Sequence, residues 1–329
     1  MLNNKPYIII FSLLFLILSC QNKTSLGERF CKQFFLMDTL IEITIIEKNP
    51  DKAKICMDKV FNEFKRLEKL FTGYDSTGDV WKINKSGTDR IKVNDEIFKL
   101  ISTSQAFSEM SEGAFDISVW PLIRLWGFGF EPKIPDEKDI KSCLYLVDYK
   151  NINLFPEDHS VQFLQNGMGI DLGGIAKGYS LDKAASILKN AGIKNFLINA
   201  GGDIIASGIR ENGEKWRIGI KHPRKDGLIE TLEISDCAVV TSGDYERFFI
   251  KDGKRYHHIL NPITGYSAKD CISVTVITHM NSIPNSATVA DALSTAIFVL
   301  GHKKGIPLAK TFNSTKVIII TPELEIIRL

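Results

Sequence analysis

The stretch Asp171-Leu-Gly-Gly-Ile-Ala-Lys-Gly-Tyr-Ser-Leu-Asp182 places the tightest constraint on this chain. Gly173 and Gly174 precede a run from Ile175 to Lys189 in which Ala176, Ala184, Ala185, Ile187 and Leu188 are good helix formers. A tight glycine turn therefore feeds the start of a helix. Lys177 falls in the first turn, where the partial positive charge of the helix end disfavours a cation. A lysine beside unpaired backbone N–H groups makes sense if an anion sits between them, and phosphate is the usual anion. Asp171, just upstream, can bind a hydroxyl or amine of the same ligand. The alternative is a glycine turn leading into a surface helix with a solvated lysine. Two familiar phosphate loops are excluded: the spacing G-x-x-x-x-G-K-[ST] is absent, and Gly167-x-Gly169 lacks the third glycine of a dinucleotide fold.

The 329 residues are 44% hydrophobic and 24% charged, an ordinary globular composition with length for one large domain or two smaller ones. A formal net charge of +2 leaves no basic footprint, so no nucleic-acid partner is expected. At the N-terminus, Lys5 precedes a run from Tyr7 to Leu18 that is apolar apart from Ser12, the length of a signal h-region and short for a membrane span. The run ends Leu16-Ile-Leu-Ser-Cys20, which resembles a bacterial lipobox. Residues 1–19 are read as a signal peptide, Cys20 as the lipid-bearing first residue of the mature chain, 20–29 as a polar tether and 30–329 as the folded domain. This predicts a lipid anchor at the bacterial cell membrane, facing the periplasm or exterior; a signal peptide without lipid is the alternative. Five cysteines remain, an odd number at wide spacings with no C-x-x-C pair, which argues for neither a cysteine zinc site nor a disulfide framework.

Asp38 to Glu47 has strand character, with Met37-Asp38-Thr39 at its start. Asp51 to Phe71 predicts an amphipathic helix, because Val60, Phe64, Leu67 and Phe71 recur at helical spacing. Thr72 to Gly78 breaks it and contains Tyr74, a candidate stacking residue. A second helix is predicted from Asp95 to Ser111. Gly113 to Gly129 is dense in aromatics and glycine; it is either a core strand or a pocket wall against a large planar ligand. Glu131 to Asp158 predicts a loop, a short helix and a strand near Val147. From Trp216 onward short strands dominate (216–220, 228–234, 238–241, 247–250, 272–277), and 316–321 with 325–329 reads as a terminal hairpin.

Two further constellations carry chemistry. His257 and His258 are adjacent, so on a strand they point to opposite faces and one metal rarely uses both. One of them as a base or hydrogen-bond donor is the functional reading; one packed and one on the surface is the other. In the helix predicted over Asn285–Leu300, Asp291, Ser294 and Thr295 lie at i, i+3 and i+4, so their oxygens share a face among small residues. Hard Mg²⁺ fits such a set, with substrate phosphates completing it. The alternative is a solvated Asp291 and a Thr295 bonded back to its own helix.

Taken together, Met37-Asp-Thr39, Gly113-Ala-Phe-Asp116, Trp126-Gly-Phe-Gly129, Asp171-Leu-Gly-Gly-Ile-Ala-Lys-Gly178, Asn199-Ala-Gly-Gly-Asp203, Thr241-Ser-Gly-Asp-Tyr245, His258-Ile-Leu-Asn-Pro-Ile-Thr-Gly265 and Ala290-Asp-Ala-Leu-Ser-Thr-Ala296 resemble the motifs of the ApbE-type FAD:protein FMN transferases, in the family's order. The resemblance implies an α+β fold of two packed α/β lobes with the flavin site between them. It implies Mg²⁺-dependent transfer of FMN from FAD to a threonine hydroxyl of an exported or membrane-anchored acceptor protein, with AMP released. Carried over residue by residue, it puts FAD contacts at Met37, Tyr74, Ala114, Phe115, Asp116, Asp171, Lys177 and Leu260, and metal ligands at the Gly174 carbonyl, Asp291 and Thr295. His258 and Asp291 are the candidates for the proton acceptor, and Lys177 for charge neutralisation. Ser294 stands where some members have an acid, and Asn261 where the family often has Asp; a neutral amide cannot act as a base there. The same site using water would be an FAD pyrophosphatase, and a non-catalytic flavin-binding lipoprotein is a third reading.

Overall fold

Strand periodicity sets the frame from the first hairpin. The computed structural model describes residues 26–329; the stretch read as a signal peptide and Cys20 lie outside them. β1 (Glu28–Leu36) and β2 (Thr39–Glu47) pair antiparallel from Glu28 with Glu47 to Leu36 with Thr39. The strand thus begins inside the stretch read as tether. On β2, Ile41, Ile43 and Ile45 enter one core and Ile46 another, as a period of two requires. α1 (Pro50–Phe71) follows, capped by the Asn49 side chain on Lys52 N and buried along Val60, Phe64, Leu67 and Phe71.

α2 (Asp79–Lys85), β3 (Ile91–Lys92) and α3 (Asp95–Met110) come next, the last capped by Asn94. Gly113–Gly129 contains no strand. A 3₁₀ turn at Ile117–Val119 leads into α4 (Trp120–Trp126), which stops at Gly127 with φ 73°. Pro121 suits a helix entrance and would interrupt a ladder. After α5 (Glu137–Leu144) the strand expected near Val147 is displaced. Asp148 caps a 3₁₀ turn by accepting from Lys150 N, and β4 (Ile152–Phe155) begins only beyond it. β4 pairs with β5 (Ser160–Phe163), and β3 takes the other side of β5.

α6 (Ala176–Asn190) starts one residue later than the glycine turn predicts. It is followed by β6 (Asn195–Ala200), β7 (Asp203–Ser207), β8 (Trp216–Lys221), β9 (Leu228–Ile234), β10 (Cys237–Gly243), β11 (Phe248–Lys251), β12 (Lys254–His257), β13 (Ser273–His279), α7 (Ser286–Lys310), β14 (Thr315–Ile320) and β15 (Ile326–Arg328). The main sheet is antiparallel in the order β1-β2-β6-β7-β10-β13-β14-β15, and β14 with β15 forms the expected terminal hairpin. α1, α6 and α7 cover one face. The β8–β9 hairpin covers the other, sending Trp216, Ile218 and Ile220 onto Ile204, Val239, Ile277 and Ile318. Both faces of β7, β10 and β13 are covered, so these strands are buried at almost every position.

The fold is α+β, as expected. A continuous core runs from Ile97 and Ile101 of α3 through Phe115 and Leu172 to Leu293 and Ile297 of α7 and Val276 and Ile319 of the sheet. That core seats the segment from α2 to β5 on the helical face. α7 breaks at Gly301 (φ 73°, ψ 169°), one residue past the predicted end at Leu300, and then resumes to Lys310. No two of the five cysteines described are joined, and no helix among the described residues is long and apolar enough to cross a membrane.

Candidate active site

The site is built where α6 meets α7. A Cβ on Gly178 would lie 2.2 Å from the Ala287 carbonyl oxygen and 2.8 Å from Asp291 Cβ, so glycine is what lets the two helices touch. Through that gap the Gly178 N–H donates to Asp291 Oδ2 at 2.8 Å. One residue back, the Lys177 ammonium is ion-paired with Asp203, at the first position of β7. Asp203 is buried and also accepts from Thr241 N at 3.1 Å. The anion inferred beside Lys177 is thus supplied in part by the protein itself. Burial alone would lower the Lys177 pKa, but the Asp203 and Asp291 carboxylates hold it above its ordinary value. Asp291 is raised well above the carboxylate range by burial and by the Asp203 charge, with Lys177 opposing.

Gly174, Thr295 and Phe115 meet just above this seam. A Cβ on Gly174 would stand 3.1 Å from the Phe115 ring and 3.4 Å from Thr295 Oγ1. Ser242 of β10 lies 3.2 Å from Thr295 Oγ1 and 2.9 Å from Ser294 Oγ, while Ser294 donates to the Asp291 carbonyl at 2.9 Å. None of these α7 oxygens faces solvent: Ser294 and Thr295 meet Ser242 of β10, while the Asp291 carboxylate turns to Gly178 N of α6. Among the described residues no three His, Cys, Asp or Glu side chains cluster, so a cation here would rest on one carboxylate plus hydroxyl and carbonyl oxygens. That donor set is hard, and the destabilised charge of Asp291 is what a divalent cation would relieve.

The other predicted site residues have settings of their own. Met37 and Asp38 are the two central residues of the β1–β2 turn, with φ of 55° and 56°. This is the twist-matched hairpin geometry, held here without glycine at a cost of about 1–3 kcal/mol per residue. Met37 N donates to Glu68 Oε1 at 2.5 Å, and Asp38 faces Arg247 at 3.7 Å. Tyr74 packs on Trp120 and Phe130, each with centroids 4.9 Å away. Its hydroxyl pKa is raised, first by burial and then by the charge of Asp171, with Arg247 opposing. Tyr74, Asp171, Asp38 and Arg247 are therefore close enough to sense one another. Asp171 folds back to accept from Gly173 N at 2.8 Å, so that N–H is already engaged.

Several assignments take a different form from the one implied by sequence. Both Asp116 oxygens are engaged inside the protein: Oδ1 with Ser118 N and Oγ, Oδ2 with Tyr149 N, and burial pushes its pKa up to about 6. The Ala114 and Phe115 side chains are buried, and Leu260 packs with Trp126, Phe128, Leu122 and Ile140. Gly113–Gly129 is not the core strand expected as one of its two readings: Trp126 and Phe128 are core but helical or irregular, while Trp120, Pro121 and Arg124 line a cavity of about 430 Å³ with Asn84, Asn166 and Met168. Lys177, Asp291 and Thr295 are not among that cavity's walls. Asn261 Oδ1 accepts from Ile263 N and Thr264 N, so this side chain shapes a turn, which an amide does as well as a carboxylate.

The histidines separate as alternation requires. His257 is buried, with Nε2 donating to the Ala268 carbonyl at 2.9 Å and its ring edge-on to Phe298. His258 is half-buried, and its Nδ1 lies 3.2 Å from the Arg247 carbonyl. A carbonyl only accepts, so Nδ1 carries the proton and Nε2 keeps its lone pair. Burial and the neighbouring Arg247 charge push its pKa down to about 3, far below the near-neutral value expected from residue type. Sequence reasoning missed Asp203, Ser242 and Arg247. Asp203 closes the Ala-Gly-Gly-Asp motif, and it is the burial of its carboxylate, which no local pattern shows, that marks it.

The chain matches the family model described as the ApbE family over residues 37–319. The FAD:protein FMN transferase of Treponema pallidum (strain Nichols) is 32% identical over 327 residues, covering 94% of this chain and 88% of that protein. The FAD:protein FMN transferase of Klebsiella pneumoniae (strain 342) is 36% identical over 274 residues, covering 82% and 83%. Among solved structures, the ApbE protein of Thermotoga maritima superposes with a TM-score of 0.84 at 35% identity, covering 92% of this chain and 97% of that one. The flavin transferase ApbE of Vibrio cholerae does so with a TM-score of 0.81 at 25% identity, covering 92% and 97%.

Proposed function

The chain belongs to the ApbE family, and on that premise we propose that it is an FAD:protein FMN transferase that places FMN on a threonine hydroxyl of an exported acceptor protein. The observation that carries the reading is the α6–α7 seam, where the ammonium of Lys177 stands beside the oxygen set of Gly174, Asp291 and Thr295. A pyrophosphate needs its charge neutralised, its phosphorus held in line with the attacking oxygen and a proton acceptor nearby. The Gly174 carbonyl, Asp291 and Thr295 would hold Mg²⁺, which would supply Lewis-acid neutralisation of the phosphate charge.

The chain's own residues do the rest. Lys177 exchanges part of its contact with Asp203 for a phosphate oxygen. Gly173 N–H stays on Asp171, which keeps the turn into α6 in place rather than binding phosphate. The threonine oxygen attacks the phosphorus of the FMN half; the P–O bond to the AMP half breaks, and AMP leaves with its electron pair. The hydroxyl proton passes to Nε2 of His258, which is neutral and held by its Nδ1–H on the Arg247 carbonyl. Its low basicity in the substrate-free protein is offset once a polyanion is bound nearby, since negative charge raises the pKa of a histidine. Tyr74 and the Met37–Asp38 turn border the flavin.

The test is to incubate the protein with FAD and candidate exported acceptors and to measure intact mass and AMP. The acceptor gains FMN less one water, with AMP formed in equal amount. An acceptor carrying whole FAD, or FMN released at the same rate without an acceptor, would reject transfer and leave hydrolysis. We also propose that lipid on Cys20 holds the protein at the membrane. Cys20→Ala then abolishes incorporation of labelled fatty acid; label persisting in that variant would exclude Cys20 as the carrier.

A further inference from the structure

α7 begins without a cap of its own. Asn285, its N-cap residue, is left-handed (φ 51°, ψ 50°) and its side chain makes no capping hydrogen bond. The first-turn donors go instead to a side chain of α6. Asp182 Oδ1 accepts from Ala287 N at 3.1 Å, and Oδ2 accepts from Thr288 N at 2.8 Å and from Thr288 Oγ1 at 2.6 Å. A carboxylate from a neighbouring helix thus does the work of an N-cap and meets the positive end of the helix dipole.

The placement of this bond matters for the chemistry. Asp182 lies one helical turn after Gly178, so both stand on the face of α6 that meets α7. On α7, Thr288, Asp291 and Thr295 follow one another at i, i+3 and i+7 along the facing side. The seam is therefore closed at two points: Asp182 on residues 287 and 288, and the Gly178 N–H on Asp291. Between them no side chain at 178 holds the helices apart. A slip of α7 by one residue moves its groups by about 1.5 Å, whereas cation–oxygen contacts tolerate about 0.2 Å.

We infer that Asp182 is a positioning residue: by capping α7 from α6 it sets the axial register of α7, and through it the place of Asp291 and Thr295 relative to Lys177. The inference rests on reading Asp291 and Thr295 as cation ligands. Its first readout does not.

Asp182→Asn in the full chain is the variant to examine. The amide keeps the size, removes the charge and turns an N–H₂ group toward donors it cannot accept from. Single-amide exchange by NMR is expected to show the Gly178 N–H at least about tenfold less protected, while the amides of the β2–β6 pair keep their protection. Mn²⁺ affinity, measured by electron paramagnetic resonance, is expected to weaken by about tenfold or more, the usual range for loss of a group that orients a metal ligand. FAD binding in EDTA, followed by flavin fluorescence, is expected to change by less than about twofold, because no metal ligand is then in use. Ile97→Val, in the buried face of α3, serves as a mild destabilising control and moves none of the three. Thr288→Val, which removes only the hydroxyl donor, shifts both seam readouts in the same direction by less, and it carries the test if Asp182→Asn does not fold. Wild-type Gly178 protection in the seam variants, or the same losses in Ile97→Val, would overturn the proposal. A wild-type protein that binds no Mn²⁺ would remove the metal reading, and the Gly178 exchange would still decide the role of Asp182.

Discussion

Lys177 is an unfavourable residue for a first helical turn, and Asp203 is an unfavourable residue to bury; each makes the other tolerable. Removing one partner strands the other. Lys177→Met and Asp203→Asn are each expected to destabilise the protein by about 2 kcal/mol, and the double variant by clearly less than their sum. Strict additivity in chemical denaturation would mean that the pair is not coupled. In steady-state kinetics Lys177→Met lowers kcat/KM by about a hundredfold or more, as expected for a lost electrostatic contact in the transition state. Acidity gives a second check at this scale. Asp116, at about 6, and Asp291 both have folded pKa values raised above the unfolded carboxylate value of about 3.9. Between those values the folded state binds more protons than the unfolded one, so their contribution to stability falls as the pH rises through the window. The metal-free protein is expected to lose Tm between about pH 4 and pH 7 from these two groups, and Asp291→Asn to flatten the slope. Mg²⁺ should raise Tm more at the alkaline end, where it replaces a missing proton; equal stabilisation at both ends would separate Asp291 from the cation.

At the scale of elements, the helix pair matters more than either helix. α6 carries Lys177 and α7 carries Asp291 and Thr295, and a glycine at 178 is the condition for their contact. Gly178→Ala would drive a methyl group into the Ala287 carbonyl, which no rotamer can relieve. The expected result is a loss of about 1–3 kcal/mol from overpacking and a site opened at the proposed cation ligands, with activity down at least about tenfold even where the protein is folded. Wild-type turnover in a folded Gly178→Ala protein would show that the seam tolerates separation. The β1–β2 turn is a second strained element, since Met37 and Asp38 hold left-handed backbone.

Across the whole molecule the two faces of the main sheet have separate tasks. The α1, α6 and α7 face carries the proposed site, and the β8–β9 face supplies burial. Trp216 is almost fully enclosed there, with its indole N–H donating to the Ser207 carbonyl at 3.0 Å. Trp216→Ala is expected to lower stability by about 3–5 kcal/mol while leaving kcat per folded molecule unchanged. A selective fall in kcat at full folding would tie that face to the site after all. The buried length of β7, β10 and β13 follows from the same division, because a strand covered on both sides loses its alternation.

Local pattern decided much of this protein. The stripe of Val60, Phe64, Leu67 and Phe71 specifies α1, the alternating isoleucines specify β2, and the glycines before Ile175 specify a turn into a helix. The spacing of Asp291, Ser294 and Thr295 puts their oxygens on one face, because 3.6 residues per turn leaves no other choice. The strand placed near Val147 failed, because the Asp148 cap competes locally with the ladder. Only the tertiary structure decided what those groups meet. Gly178 and Asp291 are 113 residues apart in the chain, Asp182 and Thr288 are 106 apart, and Asp203 reaches Lys177 of α6 from the strand β7. No periodicity encodes such pairings. The acidity of His258 belongs to the same class: its ordinary pKa is a property of the residue, but its fall to about 3 comes from the burial and the Arg247 charge that folding assembles around it.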